Sequence, residues 1–396
     1  MAVYDINGNL LTEDASIKSY YENEMADTIS KVRNLNTEPA LVFPVVTDIH
    51  RYSEGVTQTF PEMINNIRHF AGVIKCDFIA NTGDTIDGNA TQDITLGYAY
   101  DCTEQLQDIG IPFLYSQGNH DNNPYNPDGS LGNNQFSIQQ VFKGFYCATK
   151  DVTFNFNENG TDYYIDYGGL GIRVVMLNAC NVKKDKKYAY GDSTATWLTN
   201  TALDTDHTVL LMEHLSSIAS QVWNNNHGTN ADAVTSALTS FVNNGGTLVQ
   251  ISGHSHIDLA FVQPWLSVMH NCQKFIVSDI TTTQFAKITG YIDVMGNPSR
   301  TADTYTADCW TVCLLKPNSK ELDCVRFGAG VDRYFHYNPI APTTLTSRLT
   351  GVTWSSSDTS VATVSNGVVT GVASGTCGIL AKDTTGNYEC WTIRVS

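Results

Sequence analysis

The sequence contains no run of 18 or more apolar residues, so no segment is long enough to cross a bilayer as a helix. Residues 1–10 lack both the basic start and the apolar stretch of a secretory signal. Positive charge is scarce: 23 Lys and Arg against 40 Asp and Glu give a net charge of -17, which repels long nucleic acid and anionic membrane at long range. The ten cysteines include no Cys-x-x-Cys spacing, so neither a zinc ribbon nor a disulfide scaffold is indicated. Most lie in apolar runs, where a thiol behaves as a small buried hydrophobe. Gly-x-x-x-x-Gly-Lys, Gly-x-Ser-x-Gly and His-Glu-x-x-His are all missing, so nucleotide-driven, serine-hydrolase and metalloprotease chemistry lack their key residues.

What is present is ample apolar surface. At 396 residues, 42% hydrophobic and 10% aromatic, the chain exceeds what one core usually serves, and two domains are expected. Residues 1–40 read as a leader: Asn7-Gly8 marks a tight turn, and residues 16–34 put Tyr21, Met25, Ile29 and Val32 on one helical face, to pack on the main domain or on a partner. Over 41–330, short apolar runs each end in a polar loop, with amphipathic helical stretches such as 61–73 and 231–243 between several of them. That alternation predicts an α/β domain whose ligand groups gather beyond the carboxyl ends of the strands. Residues 331–342, with Pro339 and Pro342, are expected to form a stiff linker. Residues 343–396 shift to Ser, Thr, Val and Gly with turn signals at Ser365-Asn366-Gly367 and Thr384-Thr385-Gly386-Asn387, a small all-β module.

The strand-end loops carry Asp48 and His50, then Asp84, then Asn119 and His120, then His214, then His254 and His256. Carboxylate, imidazole and amide without thiolate suit a first-row divalent ion such as Mn, Fe, Zn, Ni or Co, and count against the all-oxygen cage of calcium. Eight groups exceed one ion's needs. Two ions roughly 3.5–4 Å apart would use them and stabilise in-line displacement at phosphorus. The glycines at 83, 118 and 253 fit a chain that turns sharply from strand end to ligand.

In chain order, Asp-x-His, Gly-Asp-x-x-Asp, Gly-Asn-His-Asp, an isolated His and Gly-His-x-His, each at a strand end, resemble the calcineurin-like metallophosphoesterase family over about residues 41–330. The resemblance implies a four-layer α/β/β/α sandwich and hydrolysis of a phosphomonoester or phosphodiester by a hydroxide bridging two divalent transition metal ions. It implies that Asp48, His50 and His256 hold one ion, that Asn119, His214 and His254 hold the other, and that Asp84 bridges them. His120 then stands near the leaving oxygen as general acid or electrostatic stabiliser, Asp121 holds the His120 ring, and Asp87 supports the ligands from behind.

Arg51 and Tyr52, and Asn122 and Asn123, either contact substrate oxygens or are solvated loop residues. Lys183, Lys184, Lys186 and Lys187 either steer an anionic substrate or form a solvated hairpin tip. His69, His207, His227, His270 and His336 read as ordinary surface or core histidines. Residues 343–396 resemble the bacterial Ig-like domain, group 2, through Val352-Thr353-Trp354, Ser360-Val361-Ala362-Thr363-Val364 and Gly367-Val368-Val369-Thr370-Gly371, with its opening strands shortened. Cys377 and Cys390 flank the last hairpin of this unit and could pair. The resemblance implies a bacterial surface or phage-particle setting, with a cell-surface glycan or a phage particle as partner and the leader as an assembly contact. The rival reading is a non-catalytic adhesion or structural protein that works through the Ig-like unit.

Overall fold

The computed structural model describes residues 3–4, 10–11, 16–51, 59–124, 132, 135–146, 152–180, 188–218, 228–262, 265–270, 291–295, 298 and 300–396. The chain opens with β1 (Val3–Tyr4) paired to β2 (Leu10–Leu11), followed by helix α1 (Glu22–Leu35). Then come β3 (Leu41–Val46), α2 (Thr59–Val73), β4 (Ile79–Asn81), α3 (Gln92–Gln107), β5 (Phe113–Tyr115) and α4 (Ile138–Phe145). The middle of the chain forms β6 (Asn155–Phe156), β7 (Tyr163–Tyr167), β8 (Ile172–Leu177), α5 (Thr194–Trp197), β9 (Thr208–Glu213), α6 (Ala231–Asn243) and β10 (Leu248–Ser252). Strands β11 (Asp258–Phe261), β12 (Leu266–Met269), β13 (Tyr291–Met295), β14 (Cys309–Lys316), β15 (Glu321–Gly328) and β16 (Arg333–Ile340) follow. The chain ends in β17 (Thr353–Ser356), β18 (Ala362–Ser365), β19 (Val368–Gly371), β20 (Gly375–Lys382) and β21 (Tyr388–Val395).

Two large sheets result, in the orders β13-β11-β12-β10-β9-β8-β7-β6 and β17-β20-β21-β16-β15-β14-β3-β4-β5. Side-chain alternation stacks them. On β8 and β9, Val174, Met176, Leu210 and Met212 face the core shared with the other sheet, while Val175, Leu177, Val209 and Leu211 face the core under α6. The shared core also takes in residues of α1, α2, α3 and α4, so helices cover both outer faces of a sheet pair, the four-layer α/β/β/α arrangement. Strands buried on both faces explain the continuous apolar runs of the sequence. β3, β4 and β5 pair in parallel, as do β8, β9 and β10. Parallel strands end at the same side of a sheet, which is what gathers the polar loops.

Helix α1 buries Met25, Ile29 and Val32, with Tyr21 just before it, against the protein's own core. The Tyr20 and Tyr21 hydroxyls both donate to Glu62 on α2, and Lys31 pairs with Asp332 at 2.9 Å. This apolar face is therefore spent within the molecule: of the two places the sequence left open for it, it packs on the main domain.

The segment 331–342 is not a linker. Its residues Arg333–Ile340 form β16, which pairs antiparallel with β15 and parallel with β21, so the C-terminal strands extend the nine-stranded sheet. The β20–β21 hairpin is apolar on both faces. Leu380, Tyr388 and Cys390 join the main core, while Cys377, Ile379, Ala381, Trp391 and Ile393 form a smaller core with Leu345, Val361, Ala362 and Val369. Cys377 and Cys390 thus lie on opposite faces, with register partners Ile393 and Leu380, and the pairing that their spacing left open does not occur. The Asn366-Gly367 turn joins β18 to β19 with both residues at positive φ, 47° and 82°, as a two-residue hairpin requires. No described helix is long and apolar enough to cross a membrane.

Candidate metal centre

Five of the gathered residues hold left-handed backbone conformations: Asp48 at φ 53°, His50 at 50°, Asp84 at 51°, His254 at 70° and His256 at 52°. None is glycine, so each conformation costs about 1 kcal/mol or more and persists only where its surroundings fix it. Here they do. The amides of Asp48 and His50 donate to the carbonyls of Gly83 and Asp84, both at 2.9 Å, and the His254 amide donates to the Asp48 carboxylate at 3.1 Å. The loops after β3, β4 and β10 hold one another. Gly118 and Gly253 allow this closeness, because a Cβ on Gly118 would collide with Asp84 and one on Gly253 with Thr47 and Asp48.

The side chains form two groups that share one carboxylate. Asp48, His50, Asp84 and His256 bring ligand atoms within 4.8 Å of one another, as do Asp84, His214 and His254. Asp84 Oδ2 lies 3.7 Å from His50 Nε2 and 3.1 Å from His214 Nε2. Asn119 Oδ1 is 3.2 Å from His214 Nε2, and His256 Nε2 is 3.2 Å from Asp48 Oδ1. Imidazole nitrogens face each other at 3.1 Å between His50 and His256 and at 3.2 Å between His214 and His254. Two neutral imidazoles cannot both aim lone pairs across such a gap without a proton or a cation between them. With hard and borderline donors only, the arrangement fits two first-row divalent ions.

The surrounding hydrogen bonds select the tautomers that ligation needs. His214 Nδ1 lies 2.8 Å from the Thr82 carbonyl and donates to it, leaving the lone pair on Nε2, toward Asp84. His50 Nδ1 faces Asp87 Oδ1 at 3.3 Å, which likewise leaves Nε2 for the cluster. His120 Nδ1 donates to the Asp87 carbonyl at 2.7 Å, and the His120 amide donates to Asp84 Oδ1 at 2.8 Å.

Burial opposes every charge here, and the neighbours decide the outcome. Burial would raise Asp84, yet the His214, His120 and His50 charges hold its carboxyl well below the usual range. Asp48 is likewise lowered against its burial, by His256 and His214. His214 is pulled down by burial but carried up to about 9 by Asp84, whereas burial and the His214 charge push His254 down to about 3. His120 is lowered, chiefly by burial.

Three expectations for individual residues need correction. Asp121 does not hold the His120 ring, whose Nδ1 is taken by Asp87. Its carboxylate accepts from the backbone amides of Thr85, Ile86 and Gly118 and from the Tyr115 hydroxyl, so it fastens the Asp84 loop to the loop after β5. Burial, with the Asp84 charge, raises Asp121 to about 6. The Arg51 guanidinium donates through Nη2 to Asp101 of α3 at 2.9 Å and lies over the Phe60 and Tyr98 rings, so it braces helices and is not a solvated loop residue, while its buried Nε and Nη1 have no hydrogen-bond partner among the described residues. Asn123 is occupied by the Ala90 carbonyl and the Thr95 hydroxyl. Asn122 is buried and its Oδ1 has no hydrogen-bond partner among the described residues. Tyr52, Lys183, Lys184, Lys186, Lys187 and His227 lie outside the described residues. The spacing of motifs does not announce Tyr188, whose ring meets His254 edge-on at 5.6 Å, or Tyr115; both are aromatic residues beside polar loops and carry no sequence signal.

A family model for calcineurin-like phosphoesterase matches residues 42–258, more than half of the chain. Among solved structures, a dimetal phosphatase from Danio rerio is similar with a TM-score of 0.50 and 13% identity, over 75% of this chain and 99% of that one. The protein described as the anchor in the inner membrane complex of Plasmodium gives a TM-score of 0.40 at 10% identity, over 72% of this chain and 84% of that one. A 5'-nucleotidase from Candida albicans gives 0.35 at 14%, over 75% and 51%. The first of these likenesses is one of fold. No curated protein matches the chain.

Proposed function

Because the chain belongs to the calcineurin-like phosphoesterase family, and is a metal-dependent phosphoester hydrolase using two divalent metal ions, we propose how its own residues divide the work. Asp48, His50 and His256 would hold one ion, Asn119, His214 and His254 would hold the other, and Asp84 would serve both. The single observation behind this reading is the Asp84 carboxylate, which belongs to both groups of ligand atoms. When bound, the ions supply the positive charge that polarises a phosphoryl group and acidifies water.

The protein's part is placement and proton control. Asp84 Oδ1, anchored by the His120 amide, leaves Oδ2 facing His50 and His214. His120 keeps its Nδ1 proton on the Asp87 carbonyl, so its Nε2 is the nitrogen that carries or releases a proton toward the leaving oxygen. Burial lowers this imidazole, which suits an acid that must give its proton up readily. We propose residues 343–396 as an Ig-like unit of group 2, supported by their separate small core. A cell-surface glycan or phage-particle partner would follow from that resemblance alone, and cosedimentation with cell-wall polysaccharide is its test.

Release of nitrophenol from its phosphate monoester and diester, with Mn, Zn or chelator present, tests the assignment. Activity lost to chelator and restored by Mn, with Asp84→Ala inactive and His120→Ala slowed by about 10²–10⁴-fold, is expected. Equal inertness of wild type and variants, in protein that retains no transition metal, would favour the adhesion reading.

A further inference from the structure

Away from the metal centre, between the two sheets, His270, Cys313 and Cys324 form another cluster of ligand-type atoms, all fully buried. Cys313 on β14 and Cys324 on β15 are direct register partners, and their sulfurs lie 3.8 Å apart. His270, just after β12, places Nε2 3.8 Å from the Cys313 sulfur.

A metal is the first candidate for such a trio, and Arg333 argues against it. Its Nη2 lies 2.7 Å from His270 Nδ1. A guanidinium can only donate, so Nδ1 accepts and the ring proton sits on Nε2, the nitrogen a metal would need bare. That Nε2–H instead points at the Cys313 sulfur and favours its thiolate. Arg326 and Arg333, paired with the buried Asp258, add positive charge on the same side.

We propose that Cys313 and Cys324 are a disulfide-forming pair that staples β14 to β15 when the protein meets a small-molecule disulfide such as oxidised glutathione. Facing residues of adjacent antiparallel strands have Cα atoms about 4.5–5.5 Å apart, within the span a disulfide bridges. The Cys313 thiolate attacks one sulfur of the small disulfide and expels one small thiolate. Cys324, losing its proton, attacks the Cys313 sulfur of the mixed disulfide and expels the second. Two protein thiols have then lost two protons and two electrons, and the small disulfide has become two thiols. Because both thiols are buried, the exchange waits on opening of the strands and runs slowly. The staple closes a short loop around the turn between β14 and β15, whose cross-link restricts the unfolded chain.

The test incubates the full-length protein with oxidised glutathione, alkylates the remaining thiols after denaturation, and maps tryptic peptides, since trypsin cuts after Lys320, between the two cysteines, though not at the Lys316–Pro317 bond. The expected result is a linked Cys313–Cys324 peptide that dithiothreitol separates, with Tm raised by a few degrees in the oxidised protein. Cys313→Ser and Cys324→Ser should each abolish the linked peptide. Quantitative alkylation of both thiols after prolonged exposure would overturn the proposal, and the wild-type map decides this even if a variant fails to fold. A third bound zinc per chain, lost from Cys313→Ser with the other two retained, would also overturn it in favour of a metal site.

Discussion

Replacing Asp121 by Asn separates two accounts of the residue that follows His120. In the structure Oδ1 accepts from the amides of Thr85 at 2.8 Å and Ile86 at 3.2 Å, and Oδ2 from the amide of Gly118 at 2.9 Å and the Tyr115 hydroxyl at 2.6 Å. An Asn side chain has one oxygen, so its amide group must face at least one backbone N–H that cannot turn away. The Tyr115 hydroxyl can rotate to accept. If the amide group takes the Oδ2 side, one charge-assisted bond is lost and another inverted, which costs about 1.5–3 kcal/mol. The strain falls on the segments carrying Asp84 and Asn119, so metal affinity should drop by about 10–100-fold. Titrating Mn into metal-stripped protein while following nitrophenol release should show a weakened Mn dependence and near-complete recovery of kcat at saturating Mn. Wild-type Mn affinity combined with a displaced acid limb of the pH–rate profile would refute this reasoning, since that pattern belongs to a residue acting through His120.

Gly118→Ala should lose most activity and bind metal poorly, because the new Cβ meets Asp84; metal analysis of the purified variant checks it. Glu389→Gln should destabilise the protein by about 2 kcal/mol in urea unfolding, since Glu389 accepts from His336, Ser347 and both the backbone and the side chain of Arg348. Acid should have a related effect. Burial would raise Glu389 and Glu321, but His336 and Arg348 hold both below the ordinary 4.5. A depressed native pKa contributes stability above the unfolded value that is lost as pH falls through the native one, so unfolding midpoints should drop below about pH 4.5, and less steeply in Glu389→Gln. Arg51→Ala should lower Tm through loss of the Asp101 pair while leaving KM near wild type; a large KM rise would return Arg51 to the substrate.

The candidate metal centre was legible because each of its residues interrupts an apolar run at a strand end, and parallel pairing puts those ends together. Asp121 and Arg51 were not, because neighbourhood in the chain says nothing about which way a side chain points from a tight loop. Arg51 follows His50 directly, yet it bonds to a helix fifty residues away. The β16 strand hid behind Pro339, which sits at its end, where a missing N–H costs little. Cys313 and Cys324 looked like scattered core thiols, since their partnership depends on hairpin register.

The β20–β21 hairpin, with one face in each of two cores, has a consequence for how this molecule can be divided. Ending the chain after residue 342 would strip Leu380, Tyr388 and Cys390 from the catalytic half and leave the β16 edge open. The tail is thus not a detachable accessory: the two halves should melt in one cooperative transition, and a lineage that discarded the tail would have to rebuild the wall it provides.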